Sequence, residues 1–279
     1  MKNNFLFLNN NNQVEFIKIL KTIDSDFFSY NFSKETFNMF RKYLDIKDEI
    51  SFILFVDDIP AGVFLGSMRG KRGYISSMIV IKEFRGRGLG RLILQKGLSL
   101  FKEKHCSEVE LEVLQDNLCA INLYKSQGFT ISNDILNYKN EKNSFFVDNF
   151  FDYKVEQANT FTFQPLYRMF CKEKRIWFKN LKSLVSLLDD YAKQLYLLKK
   201  DNQILGFAII SREYNVLRFY DIFLKNKYLQ TFPIFLSLLL KNEKIVNLRG
   251  FYKNDEICNI IEQNGFFCDM KQFEMVKTC

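Results

Sequence analysis

Histidine occurs once in the 279 residues, at His105. A Ser-His-Asp triad would have to use it, and a multi-histidine metal site is impossible. The six cysteines (Cys106, Cys119, Cys171, Cys258, Cys268 and Cys279) contain no Cys-x-x-Cys pair. Zinc-ribbon and thioredoxin-like readings therefore fail, and a reduced, cytoplasmic protein is expected. Long apolar runs are absent too. The best stretch, Phe232 to Leu240, is far short of the ~20 residues of a membrane span. Phe5 to Leu8 give four apolar residues before an Asn run, where a signal peptide needs about 7–15. No membrane association is expected. Charge is not concentrated either. Of the net +8, residues 1–140 carry +3 and residues 141–279 carry +5. An excess spread in this way speaks against a nucleic-acid partner.

What is present is a globular composition, 47% apolar and 26% charged. The length suits one large domain or two ordinary ones. The first half predicts a helix at Val14–Leu20 and another over Lys34–Leu44 capped by Ser33. Strands follow at 51–56, 61–68 and 74–81, joined by turns at Asp57-Asp58 and Gly70–Gly73. A glycine-rich loop then leads to a helix from about Gly90 to Lys104. Glu108–Val113 reads as a strand, and Asn117–Gln127 as a helix stopped by Gly128. The second half repeats this order. Strands at 196–198, 206–210 and 216–224 precede a helix over 228–240, a strand over 245–250 and a helix over 255–263. Asp57…Gly62 aligns with Asp201…Gly206 at an offset of 144. Val109, Leu111, Asn117, Gly128 and Phe129 align with Val246, Leu248, Asn254, Gly265 and Phe266 at an offset of 137. Such self-similarity predicts a duplicated domain, divided as 1–145 and 146–279 near the polar Asn140–Asn143 stretch.

The glycine loop carries the chemistry. Arg85-Gly86-Arg87-Gly88-Leu89-Gly90-Arg91 lies between a strand and a helix. Backbone N–H groups can converge there, the helix start adds partial positive charge, and no Cβ blocks close approach. A phosphate or pyrophosphate is the natural ligand. No Gly-Lys-Ser/Thr follows, so this is not a Walker loop. Arg91 stands where the dinucleotide fingerprint needs its third glycine.

Arg85-x-x-Gly88-x-Gly90 after a strand resembles the cofactor motif of the GCN5-related N-acetyltransferases. Asn117-x-x-Ala120-x-x-Leu123-Tyr124-x-x-x-Gly128-Phe129 resembles that family's second motif, in the expected order. The resemblance implies an α/β (α+β) fold, here as two tandem acetyltransferase-type domains. Each would be a mixed, mostly antiparallel sheet flanked by helices. It implies acetyl-coenzyme A as acyl donor, with its pyrophosphate held by Arg85, Gly86, Arg87, Gly88, Leu89, Gly90 and Arg91. Met78, Ile79 and Val80 would bond the pantetheine arm through their backbone. Asn117 would contact the cofactor, with helix capping as its other use. Tyr124 would be the acid that protonates the departing thiolate. Glu112 lies in a Leu-Glu-Val spacing similar to the ribosomal-protein N-terminal acetyltransferases, where such a glutamate is the base. Its alternative is a solvated strand face.

The implied reaction is acetyl transfer to a primary amine, small molecule or peptide, by direct attack in a ternary complex. Transfer of another acyl or aminoacyl group, or a non-catalytic acyl-coenzyme A sensor or scaffold, stands as the alternative. Under the repeat, Arg85, Gly88 and Gly90 fall opposite Tyr228, Thr231 and Pro233, Tyr124 opposite Ile261, and Glu112 opposite Arg249. The second copy is therefore expected to be degenerate, shaping the acceptor cleft, stabilising the first copy or mediating a homodimer. His105 is read as a solvated helix end, Cys119 as a small buried hydrophobe, and Asp45, Asp48 and Glu49 as a solvated acidic end.

Overall fold

A computed structural model describes residues 2–23, 33–141, 150–190 and 192–279. The chain forms two compact units, Met1–Ser132 with Phe273–Cys279, and Asn133–Gln272. The expected division at 145/146 falls within 142–149, outside the described residues. The units also differ from the expectation in that the last seven residues belong with the first. Local composition marks a polar linker, but it does not say which sheet a distant strand joins.

In the first unit, β1 (Asn3–Phe7), β2 (Phe52–Val56), β3 (Ile59–Arg69) and β4 (Arg72–Val80) form an antiparallel run. Strand β5 (Glu108–Leu114) follows, then the end of β12 (Phe267–Thr278). The start of β6 (Thr130–Asn140) lies beside it, with Ser132 Oγ donating to Glu274 Oε2 at 2.7 Å. The β2–β3 hairpin turns through Asp57 and Asp58, with φ of 49° and 63°. Two successive left-handed residues give the turn whose twist matches the flanking strands.

Helices α1 (Gln13–Ile23) and α2 (Lys34–Leu44) precede the hairpin. Ser33 Oγ accepts from the Thr36 N–H, as expected of the cap. Helix α3 (Leu89–Glu103) lays Leu89, Ile93, Leu94, Leu100 and Phe101 on the sheet. A Cβ on Gly97 would meet the Phe64 ring at 2.3 Å, so only glycine lets helix and sheet approach this closely. Phe64 stacks on Phe52 at 5.3 Å. Met275 from β12 is fully buried in the same core.

In the second unit the order is β7 (Tyr153–Ala158), β8 (Gln194–Lys200), β9 (Gln203–Glu213), β10 (Val216–Leu224), β11 (Ile245–Tyr252), then β6. The start of β12 lies beside β6, where Asn137 Nδ2 donates to Gln272 Oε1 at 3.0 Å. Helices α5 (Thr160–Phe170), α6 (Leu181–Leu188), α7 (Phe232–Leu239) and α8 (Ile257–Gln263) complete it. The helix expected over 228–240 starts later. Residues 226–231 form 3-10 turns, and Pro233 sits in the first turn of α7, where its missing N–H costs nothing. Strands β1 and β7 and helices α5 and α6 were not legible in the sequence.

Candidate active site

The parallel ladder between β4 and β5 pairs Arg72–Tyr74 with Glu108–Glu110 and goes no further among the described residues. Beyond Tyr74 the two strands part. On its other side β4 remains paired to β3, Met78 with Phe64, Ile79 with Val63 and Val80 with Gly62. The alternate backbone groups of Met78, Ile79 and Val80 thus face an open cleft with no ladder partner among the described residues.

The glycine loop closes one end of this cleft. Gly86 and Gly88 have φ of 76° and 77°, and a Cβ on either would meet nothing within 4 Å. Conformation, not crowding, calls for glycine here. Gly88 is the N-cap of α3, and the Arg91 and Leu92 N–H groups bond its carbonyl at 3.1 and 3.2 Å. The N–H groups of Gly86, Arg87, Gly88, Leu89 and Gly90 have no acceptor among the described residues. They surround the positive end of a fifteen-residue helix, which suits an anion. Arg85 Nε donates to the Val80 carbonyl at 3.0 Å, tying the loop to the strand that precedes it. The Arg87 guanidinium lies 5.3 Å from the Phe84 ring centre, and Arg87 and Arg91 are both exposed. Gly90 faces Leu123, so the loop is also set against α4 (Leu118–Ser126).

On β5 the alternation holds for the apolar face: Val109, Leu111 and Val113 are buried. The opposite face is not the solvated one offered as an alternative. Glu110 is buried and takes three hydrogen bonds from Arg72 at 2.6–3.0 Å. Glu112, half-buried, accepts a hydrogen bond from the Tyr74 hydroxyl. Burial, then the Glu112 charge, push the Tyr74 phenol well above its ordinary value. It stays protonated and remains a donor.

Asn117 caps α4, its Oδ1 accepting from the Ala120 N–H at 3.1 Å. Both readings of this residue remain compatible, because the side chain is exposed and the cap uses only its oxygen. Tyr124 is buried edge-on against Phe129, with ring centres 5.8 Å apart. Its hydroxyl has no hydrogen-bond partner among the described residues, and burial pushes the phenol up to about 12. Cys119 corrects an expectation: it is exposed, on the outer face of α4. His105 is exposed with φ of 57°, at the end of α3. The acidic end is not free. Asp45 pairs with Lys47 and Arg69, Asp48 with Arg41, and Glu49 with Lys104.

Sequence reasoning missed Tyr74. Its signal was available: a large polar-tipped aromatic on β4, one strand away from a suspected base.

The second unit treats the corresponding positions differently. Tyr228 Oη donates to Gln203 Oε1 at 2.9 Å, and Thr231 Oγ1 to the Tyr228 carbonyl at 2.7 Å. Arg249 is paired with Asp269, and Ile261 is core. No glycine stands in that loop. Among the described residues no helix is long and apolar enough to cross a membrane, and no group of His, Cys, Asp and Glu could hold a metal ion.

Comparison with known proteins gives a consistent picture. The family model described as "Acetyltransferase (GNAT) family" matches residues 17–129. N-alpha-acetyltransferase 30 of Saccharomyces cerevisiae is 29% identical over 131 residues, covering 42% of this chain and 70% of that protein. N-alpha-acetyltransferase 30 of Dictyostelium discoideum is 30% identical over 95 residues, covering 33% of this chain and 51% of that one. Across the whole length, a tandem GNAT protein from the clavulanic acid biosynthesis pathway has the same fold, with a TM-score of 0.69 at 11% identity. That match covers 99% of this chain and 98% of the other.

Proposed function

Because the chain belongs to the GCN5-related N-acetyltransferase superfamily and is an acyltransferase, we propose that its first unit transfers an acetyl group from acetyl-coenzyme A to a primary amine by direct attack in a ternary complex. The observation that carries this reading is the parting of β4 and β5 beside five unpaired N–H groups at the start of α3. The residues fit the donor: open N–H groups and exposed arginines for a pyrophosphate, and strand-edge groups over Met78–Val80, apart from the Val80 carbonyl that Arg85 holds, for an amide-bearing arm.

The bound donor supplies a thioester activated toward amines. The remaining tasks fall to this chain. The loop 85–91 and the edge of β4 anchor and orient, converting a bimolecular step into a positioned one. Glu112 removes a proton from the amine, directly or through a water, with Tyr74 holding its carboxylate in place. Tyr124 keeps its proton at neutral pH, because of its raised pKa, and gives it to the departing sulfur. One proton leaves nitrogen and one arrives on sulfur, so the pair balances.

The N-alpha-acetyltransferase relatives support the α-amino group of a peptide as acceptor. The test is release of free thiol from acetyl-coenzyme A with a panel of N-terminal peptides, free lysine and polyamines. Peptide-dependent release supports the reading, and the same release blocked by N-terminal formylation fixes the site of transfer. Absence of release with every amine overturns it.

A further inference from the structure

A cavity of about 480 Å³ lies wholly within the second unit, where β10 and β11 part. Their parallel ladder pairs Val216–Phe219 with Ile245–Leu248. Beyond it β11 kinks at Gly250, whose φ is +72° and whose Cβ would lie 2.3 Å from Ile176 Cδ1. Asn137 Oδ1 holds the kink by accepting from the Gly250 N–H at 3.0 Å. The volume is in the range of small-ligand sites. The wall is mainly polar, with an apolar part to which Phe223, Leu229, Phe251 and Ile257 contribute.

The charges at its floor do not cancel. Asp221 on β10 is fully buried and takes two hydrogen bonds from Arg175, at 2.5 and 2.7 Å. Lys179 is also buried, 3.4 Å from the same carboxylate and 3.9 Å from the centre of the Phe251 ring. Two cations therefore share one anion. Beyond this long contact with Asp221, the Lys179 ammonium has no well-formed hydrogen bond among the described residues, although the residue lines the cavity. Buried donors are nearly always satisfied, because leaving one unmet costs on the order of 1–3 kcal/mol, more when it is charged. A small turn of the Lys179 side chain toward the cavity would let an entering acceptor meet it. The other charged side chains facing the cavity are Lys172, Glu173, Lys174, Asp255 and Glu256. All five are exposed, but Asp255 still attracts Lys179 and Arg175, and partial burial raises its own carboxyl above the ordinary range.

We propose that this cavity binds a small organic monocarboxylate, its carboxylate on Lys179 and its apolar body against Phe223, Leu229, Phe251 and Ile257. Among Asp221, Arg175 and Lys179 one cation is left over, and Asp255 at the rim offsets part of it, so a monoanion suits the site and a phosphate dianion would leave charge unpaired. The mode of binding differs from that of the first unit, since the glycine loop is replaced here by self-bonded residues 226–231.

Calorimetric titration of the full chain with hexanoate and phenylacetate tests the site, with hexanamide and phenylacetamide as neutral controls. At least one acid should bind at millimolar concentration or better, at least tenfold more tightly than its amide. Lys179→Met should abolish that preference and leave acetyl-coenzyme A-dependent thiol release unchanged. A readout in the unaltered protein guards against a variant that does not fold. Burial lowers the Lys179 ammonium to about 8. Acid affinity should accordingly fall between pH 7 and pH 9.5, with the ligand ionised throughout. No binding by either acid, equal binding of acid and amide, tighter binding of inorganic phosphate, or a flat pH dependence would each overturn the proposal.

Discussion

The Tyr74 hydroxyl, from the last paired rung of β4 and β5, donates to the carboxylate of Glu112, two residues past that rung on β5. The pair sits at the point of the cleft, where the strands separate. A hydrogen bond to the ionised form holds a carboxylate ionised and fixes its rotamer. Glu112→Gln should lower kcat by about 10²-fold, in the range for loss of a general base. Tyr74→Phe should cost less, and should move the acid limb of the rate profile to higher pH, because the carboxylate then protonates more easily. Thiol release measured from pH 5 to pH 9 checks both. An acid limb unmoved in Tyr74→Phe would separate Tyr74 from the base.

Tyr124 makes a prediction at the other end of the pH scale. Its folded value is near 12, above the ordinary ~10 of a free tyrosine, through burial. The protonated form is the donor, so the rate should show no loss from tyrosine ionisation up to about pH 10.5. Tyr124→Phe should lower kcat by about 10–100-fold with little change in KM for acetyl-coenzyme A. An equal fall in affinity would make it a packing residue instead.

Gly88 separates strain from obstruction. An alanine there meets no neighbour, so Gly88→Ala carries only the left-handed backbone cost of about 1–2 kcal/mol. Gly88→Val adds bulk where a pyrophosphate would lie. Both should melt earlier, the valine variant more because a β-branched residue is poorly tolerated at positive φ, while the valine variant alone shows a large rise in KM for acetyl-coenzyme A.

The buried triad makes a stability prediction with a built-in probe. Trp177 is the single tryptophan, buried in the second unit, so its emission reports that unit. Asp221→Asn leaves the buried Lys179 and the half-buried Arg175 without their counter-ion, a loss of about 3–5 kcal/mol. Burial raises the Asp221 carboxyl, but its two cations together hold it below its ordinary range. Its stabilising contribution is therefore complete above the unfolded value, near 3.9, and is lost as the pH falls through the lower folded value. Urea unfolding followed at Trp177, at pH 7 and pH 3, should show a large difference between wild type and Asp221→Asn at pH 7 and a smaller one at pH 3.

The order of elements around the site was legible because each carries local chemistry. The Asp57-Asp58 turn, the Ser33 and Asn117 caps and the β5 alternation are each written within a few adjacent residues. The loop 85–91 was legible for the same reason: positive φ at Gly86 and Gly88 leaves a glycine signature. What was not legible depends on distant partners. Glu110 and Glu112 alternate like a solvated face, yet Arg72 and Tyr74 on β4 pair with them. Helix α7 was placed too early because Tyr228–Thr231 has helical composition but bonds as 3-10 turns. Lys179 reads as one of many lysines until Asp221, 42 positions on, is seen beside it.

Met275 is as deeply buried in the first unit as any residue of β2 or β3. Met275→Ala should destabilise that unit by about 2–5 kcal/mol. Heat inactivation of thiol release checks this.

That placement has a consequence for synthesis. A ribosome adds roughly 5–20 residues per second, and domains ordinarily fold in the order they emerge. Here the strand segment that fills the core of the first unit, Phe273–Cys279, is translated after the whole of Asn133–Gln272. The unit that carries the glycine loop is thus begun before Asn133–Gln272 and completed after it, so no stretch of the nascent chain short of residue 273 contains all the strands of that unit.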